Sequence, residues 1–311
     1  MGNSNMLYGI NERPPIGRLF ITALQQLCSV LVATILIPAI CGVPIAPALV
    51  GAGVGTLIYQ LFTRRQSPMF ISSAGGFVAA VTGALALGHA PNFTAVVIGG
   101  AMTMIVYVII GLVIKNSGVK WLNKLLPPVV IGPVVTLIGL NLALFIPTYF
   151  NVNGRYSMIG ILLGFVAMVI AACVSHYGKG FIRNLPFLVS IAITYIIAFI
   201  ITVTGKCKVI DLSVFKNISV FQIPDFAFFH VDFIHFDWSL IPQIMLLYVP
   251  IDFVCIAEHI ADHKALSAIV GKDLIENPGL GNTLIGDGVA SFLGSFICSL
   301  NNTSYSPCDL A

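Results

Sequence analysis

Ser67-Pro68-Met69-Phe70-Ile71-Ser72-Ser73-Ala74-Gly75-Gly76 stands where an apolar chain should begin a helix, yet it does not read as helix. It is rich in small residues and ends in two adjacent glycines. Glycine weakens a helix and permits unusual backbone angles. The reading is an extended stretch that gives way to helix near Phe77. At membrane depth, unwound backbone is tolerated only where protein buries it or where it lines a cavity. The alternative is that the small residues serve close helix packing.

Membrane depth is the right frame, because 58% of the 311 residues are hydrophobic and only 9% are charged. A soluble domain carries about 25% charged residues. The formal net charge of +3 is too small to suggest nucleic acid. The seven cysteines are odd in number and irregularly spaced, so they outline neither a disulfide framework nor a zinc site. From the polar first dozen residues and the long first apolar run, no cleavable leader is expected.

A spanning helix needs roughly 20 mostly apolar residues. Such stretches occupy Gly17–Ile40, Pro47–Phe62, Met69–Leu87, Phe93–Ile114, Leu126–Ile146, Met158–His176, Leu185–Val203, Leu240–Ala261 and Thr283–Ser299. With the N-terminus in the cytoplasm, only Arg155, Lys206, Lys208 and Lys216 of the fifteen basic residues fall outside. That bias is the positive-inside pattern.

A second stretch unlike a lipid-facing helix follows the ninth span: Ser299-Leu300-Asn301-Asn302-Thr303-Ser304-Tyr305-Ser306. The two broken segments are the third and the tenth. A repeat of seven spans is odd, so its second copy inserts upside down. Matching interruptions in two inverted halves point to a transporter binding site. The expected fold is therefore an all-α polytopic membrane protein with a 7+7 inverted repeat. About nine to ten of its fourteen spans are present, and short strands break spans 3 and 10.

The eighth span carries the chemistry, in Ala257-Glu258-His259-Ile260-Ala261-Asp262-His263-Lys264. An acid at membrane depth is costly unless paired, hydrated or protonated, and it marks a functional site by default. Glu258 and Asp262 share a helix face, as do His259 and His263. Lys264 and His263 read as the cytoplasmic helix end. Asp252 either lines the pathway or sits near the outer mouth. A rival reading takes His259 and His263 as zinc ligands. However, Glu258 precedes both histidines and no third ligand is evident. Neither a metal nor a catalytic residue is expected.

These residues have a family likeness. Ile256-Ala257-Glu258-His259, Lys272-Asp273-Leu274, Asn277-Pro278-Gly279-Leu280, Asp287-Gly288 and Asn302-Thr303-Ser304-Tyr305 follow the order seen in uracil permeases. Leu24-Gln25-Gln26-Leu27 with Ala33-Thr34-Ile35-Leu36-Ile37-Pro38 resembles the first span of the same family, and Trp121-Leu122 with Leu126-Pro127-Pro128 resembles the entry to its fifth. The family is the nucleobase–ascorbate transporters (nucleobase:cation symporter-2). The resemblance covers nearly the whole chain, against about the first two thirds of a typical member.

The resemblance implies a core domain in 1–125 (spans 1–4), a gate domain in 126–203 (spans 5–7), an extracellular loop in 204–239, and second-half core in 240–311. Glu258 matches the glutamate that hydrogen-bonds the nucleobase. Gly75 matches a position whose backbone contacts the base. Ala33 and Tyr305 wall the pocket, and Ser306 matches a glycine whose amide faces the ligand. Proton coupling is expected at Glu258 with His259, Asp262 and Gln26; Gln26 and Asp262 stand where the family has histidines. The proton is the coupling ion and no cofactor is implied. The expected partners are a small nucleobase, the lipid bilayer and a second copy of the chain.

The family's tenth-span glutamate falls on Pro307, which offers neither a carboxylate nor a backbone donor. With the chain ending at Ala311, this leads to the expectation of a truncated or frameshifted product. The function expected is proton-coupled uracil uptake across the cell membrane. The alternatives are a xanthine or purine permease and a non-transporting fragment.

Overall fold

The computed structural model describes residues 15–88, 91–118, 121, 128–152, 155–179, 182, 185–204, 209–210 and 223–304. Six described helices are long and apolar enough to cross a membrane. Five of them are α1 (Ile16–Cys41), α2 (Ile45–Phe62), α4 (Phe93–Ser117), α7 (Met158–Tyr177) and α8 (Pro186–Val203). The sixth is α9 (Ile241–Val270), led in by a short turn of helix at Trp238–Leu240.

The remaining spans fall outside that set. The third is broken as expected: β1 (Ile71–Ser73), one tight turn at Gly75–Phe77, then α3 (Val78–Leu85). The others are α5 (Pro128–Ala143) and α10 (Leu280–Cys298). A short helix α6 (Ile146–Phe150) leads into a small hairpin, β2 (Asn151–Val152) with β3 (Arg155–Tyr156). The tenth segment holds β4 (Asn302–Ser304).

The helices group into two compact units. The first takes in the chain from Ala33 to Leu140 and from Pro224 onward. Within it, α10 packs along α4 and α2, and α9 packs along α4 and α3. Small residues set how close these helices come. A side chain at Gly281 would begin 2.6 Å from the Gly111 carbonyl, and one at Gly111 would begin 2.9 Å from the Gly281 carbonyl. The α4 and α10 backbones therefore touch, as small residues permit in membranes. Tyr59, Met69, Ile71, Leu266, Val270, Leu274 and Ala290 form a buried apolar cluster joining α2, β1, the end of α9 and α10.

The second unit holds Gly17–Val32 and Asn141–Ile223. There α7 packs against α8, and the Ser190 hydroxyl donates to the Ala167 carbonyl. No described residue of α7 is fully buried within the protein, which suits a helix whose solvent is lipid.

One expectation is corrected. His263 and Lys264 do not mark the helix end, because α9 runs on to Val270 and stops at Gly271 with φ 69°. Glycine takes that left-handed cap without penalty. His263 is fully buried inside the helix run.

Candidate functional site

The two broken segments meet. β1 and β4 pair antiparallel, with Ile71 opposite Ser304, Ser72 opposite Thr303 and Ser73 opposite Asn302. The Ala74 amide donates to the Asn301 carbonyl at 2.9 Å and extends the pairing by one rung. Two three-residue strands leave backbone groups at their outer edges, and these need partners in a medium without water. Neighbouring helices supply some of them. Thr56 Oγ1 accepts from the Ile71 amide at 3.0 Å and lies 3.1 Å from the Ile71 carbonyl, while the Asn302 side chain ties β4 to α2 by donating from Nδ2 to the Gly51 carbonyl at 3.0 Å. Thr34 Oγ1 lies 2.8 Å from Ser72 Oγ, which sets α1 beside β1.

Glu258 faces the turn that follows β1. A side chain at Gly76 would begin 2.7 Å from Cys255 Sγ and 4.0 Å from Glu258 Oε2. The missing Cβ admits Cys255 Sγ, less than one helical turn before Glu258, to the backbone just before α3, and the Glu258 carboxylate lies beside it at van der Waals distance. The first amides of a helix point outward and attract negative or polar groups. Glu258 is half-buried, and among the described residues its carboxylate accepts no hydrogen bond. It is thus an acceptor with free lone pairs, next to the Gly75–Phe77 turn that leads into α3.

The other polar residues of α9 look elsewhere. His263 Nδ1 donates to the His259 carbonyl at 2.8 Å. Its Nε2 then carries a lone pair and accepts from the Tyr59 hydroxyl at 2.9 Å. Thr283 Oγ1 donates to the Leu280 carbonyl, so His259 Nε2 is the donor in its 3.1 Å bond to Thr283. His259 Nδ1 lies 2.8 Å from Asp287 Oδ2, short but off the line of an ideal hydrogen bond. Two lone pairs cannot face each other at that distance, so a proton sits between ring and carboxyl.

The same acids hold β4. Thr303 Oγ1 donates to Asp287 Oδ2 at 2.9 Å, and Ser304 Oγ donates to Asp262 Oδ2 at 3.0 Å. Asp262 and Asp287 therefore fix the second strand, while Glu258 is left open. Both histidine rings have both nitrogens engaged. Among the described residues no group of three His, Cys, Asp or Glu could hold a metal.

Of the residues named from the sequence, Glu258, His259 and Asp262 lie on α9, and Gly75 opens the turn beside Glu258. Ala33 is buried on α1. Gln26 is half-buried on the part of α1 that belongs to the second unit. Tyr305 and Ser306 lie outside the described residues. Asp252, left open in the sequence, is fully buried and accepts from Thr103 Oγ1 at 2.8 Å.

Sequence reasoning gave no role to Asp287, Thr303 or Tyr59. Asp287 carried the same signal as Glu258, an acid inside an apolar stretch. Thr303 and Tyr59 carried none, since Thr and Tyr are common in such segments.

A model of the permease family (Xan_ur_permease) matches residues 17–308. The chain belongs to this family. It is 33% identical over 299 residues to the uracil permease of Bacillus caldolyticus, covering 95% of this chain and 66% of that one. It is 32% identical over 311 residues to the uracil permease of Bacillus subtilis (strain 168), covering 98% and 69%. The chain thus spans about two thirds of the length of these relatives. Among solved structures, the transmembrane domain of a cyanobacterium bicarbonate transporter, BicA, matches with a TM-score of 0.62 and 12% identity, over 96% of this chain and 77% of that one. That likeness is one of fold, the inverted-repeat transporter fold. The permease is a multi-pass membrane protein.

Proposed function

We propose that this permease takes up a nucleobase, with uracil as substrate, and that Glu258 grips the base. The observation that carries the reading is the placing of Glu258: an unengaged carboxylate beside Gly76, where two broken segments pair. A planar uncharged base offers N–H and C=O groups in one plane. The carboxylate accepts from its N–H groups, and strand and helix-start amides donate to its carbonyls. The uracil permease relatives support the choice of substrate.

Protonation of Glu258 couples uptake to the proton gradient. Binding the base and releasing the proton compete for the same oxygens, so a change in one changes the other. The His259–Asp287 contact holds a further proton nearby, and Asp262 passes its influence to β4 through Ser304. In this reading Gly75, Ala33, Tyr305 and Ser306 wall the base. The core spans move against the gate spans in alternating access, with the N-terminus in the cytoplasm and two copies forming a dimer.

The experiment is uracil uptake into proteoliposomes with and without an imposed pH gradient. Uptake should follow the gradient in the native chain and vanish in Glu258→Gln. Gradient-driven uptake by Glu258→Gln would remove Glu258 from the mechanism. Preference for xanthine over uracil in competition would move the substrate to the purine class.

A further inference from the structure

Asp252 is a second acid at membrane depth, and nothing in the substrate reading uses it. Its carboxylate is fully buried. Thr103 Oγ1 of α4 donates to its Oδ1 at 2.8 Å, and among the described residues its Oδ2 has no partner. Among the described residues, the ionisable groups beside it are Tyr248 and Cys255 on α9 and Tyr107 on α4; beyond these, Glu258 and Asp287 neighbour Tyr107 and Cys255, and Cys41 neighbours Tyr248. None of them is a cation. A carboxylate in that setting is held by one neutral hydrogen bond against the cost of leaving water.

The hydroxyl that holds Asp252 also reaches the broken segment of the second half. Thr103 gives its hydrogen to Asp252, so its oxygen is free to accept, and Asn301 Nδ2 lies 3.3 Å from it. The other amide hydrogen of Asn301 goes to Ser291 Oγ at 3.3 Å. Asn301 Oδ1 is buried and without a partner among the described residues. The Asn301 carbonyl accepts from Ala74, the first rung between the two broken segments. The chain Asp252–Thr103–Asn301 therefore runs from a buried acid to the β1–β4 meeting point, and its direction is that of an ionised acid.

Protonation reverses it. An acid O–H donates to Thr103, whose own hydrogen then needs an acceptor. The unused Oδ1 of Asn301 becomes that acceptor if the amide turns over. One proton and one amide flip thus separate two opposed directions of this hydrogen-bond chain, which is what a two-state element requires.

We propose that Asp252 is a second proton-bearing site of this permease, and that its protonation resets Asn301 and with it the seat of β4. The proton arrives from water on the side to which the core is open and adds to a carboxylate oxygen. It leaves to water on the other side, and no other covalent bond changes. Asp252 acts as a positioning residue through Asn301. The proposal extends the proton-coupled reading but does not depend on uracil as the substrate.

The test is pH-difference infrared spectroscopy of the full chain in lipid. The expected result is a carboxylic C=O band that titrates in the native chain, persists in Glu258→Gln and disappears in Asp252→Asn. Thr103→Val should shift the same band by removing its hydrogen-bond partner; this variant serves if Asp252→Asn fails to fold. Native and Asp252→Asn spectra that superimpose at every pH would overturn the proposal, as would a band that ignores Thr103→Val. Uracil binding measured on the same samples keeps the two readings apart. An Asp252 band without uracil binding contradicts the substrate assignment alone, and uracil binding without the band contradicts this proposal alone.

Discussion

Ser72 and Thr303 stand opposite each other as register partners, one from each broken segment of the chain. Each is tied to a different helix. Ser72 meets Thr34 of α1, and Thr303 donates to Asp287 of α10. Two strands of three residues are too short to be stable alone; these side-chain bonds and the burial around them hold the pair.

Thr303→Val keeps the shape of the side chain and removes its hydroxyl. Asp287 then loses a buried donor, which costs about 1–3 kcal/mol. The strand pair should loosen with it. Hydrogen exchange at the amides of Ile71–Ser73 should speed up in the variant while exchange in α4 stays as it was. Unchanged exchange in β1 would show that Thr303 does not anchor the pair.

Gly281→Val places a Cβ 2.6 Å from the Gly111 carbonyl, a backbone atom that cannot swing away. Overpacking of this kind costs about 1–3 kcal/mol. The melting temperature should fall clearly. Gly53→Ala, whose Cβ meets nothing within 4 Å, should leave it unchanged or raise it slightly. Equal melting of both variants would deny the close α4–α10 approach.

Tyr59→Phe removes the donor that faces His263 Nε2. A buried imidazole nitrogen is left without its best partner, since Ser67 Oγ is 3.5 Å away. The expected loss is about 1–3 kcal/mol, read as a lower melting temperature. Uracil affinity should change little, because His263 faces Tyr59 and the His259 carbonyl. A variant that melts normally but loses binding would move His263 into the site.

In the segment before α9, outside the spanning helices, Asp232 accepts from His235 Nδ1 at 2.7 Å and from the Ile234 and His235 amides. The His235 side-chain bond, foremost, holds its carboxyl below the usual carboxylate range. A group lowered in the folded state contributes fully above its unfolded value, about 3.9. That contribution is lost as pH falls through the lower folded value. Thr94, which bonds the Asp232 backbone, should therefore keep its hold at neutral pH and release it only in strong acid. Trp238 fluorescence followed against pH should show that acid transition, and Asp232→Asn should abolish it.

The broken third and tenth segments were legible because small and polar residues interrupt apolar sequence, and lipid tolerates that only inside protein. Glu258 was legible by the same logic. The partners of Asp287 and His263 were not. Thr303, Tyr59 and Thr283 come from other elements, and only tertiary structure brings them to the acid and the rings. The end of α9 was misread because His263 and Lys264 look like an interface. The residues after them, Ala265-Leu266-Ser267-Ala268-Ile269-Val270, simply continue the helix to Gly271.

The central claim is that Glu258 accepts hydrogen bonds from the bound base. Titration calorimetry of uracil against the purified chain and its Glu258→Gln variant tests it most directly. A hydrogen bond to a charged group is worth about 1.5–3 kcal/mol, so affinity should fall by roughly 10- to 100-fold. Equal affinity in the two proteins, with the native chain binding uracil, would contradict the account.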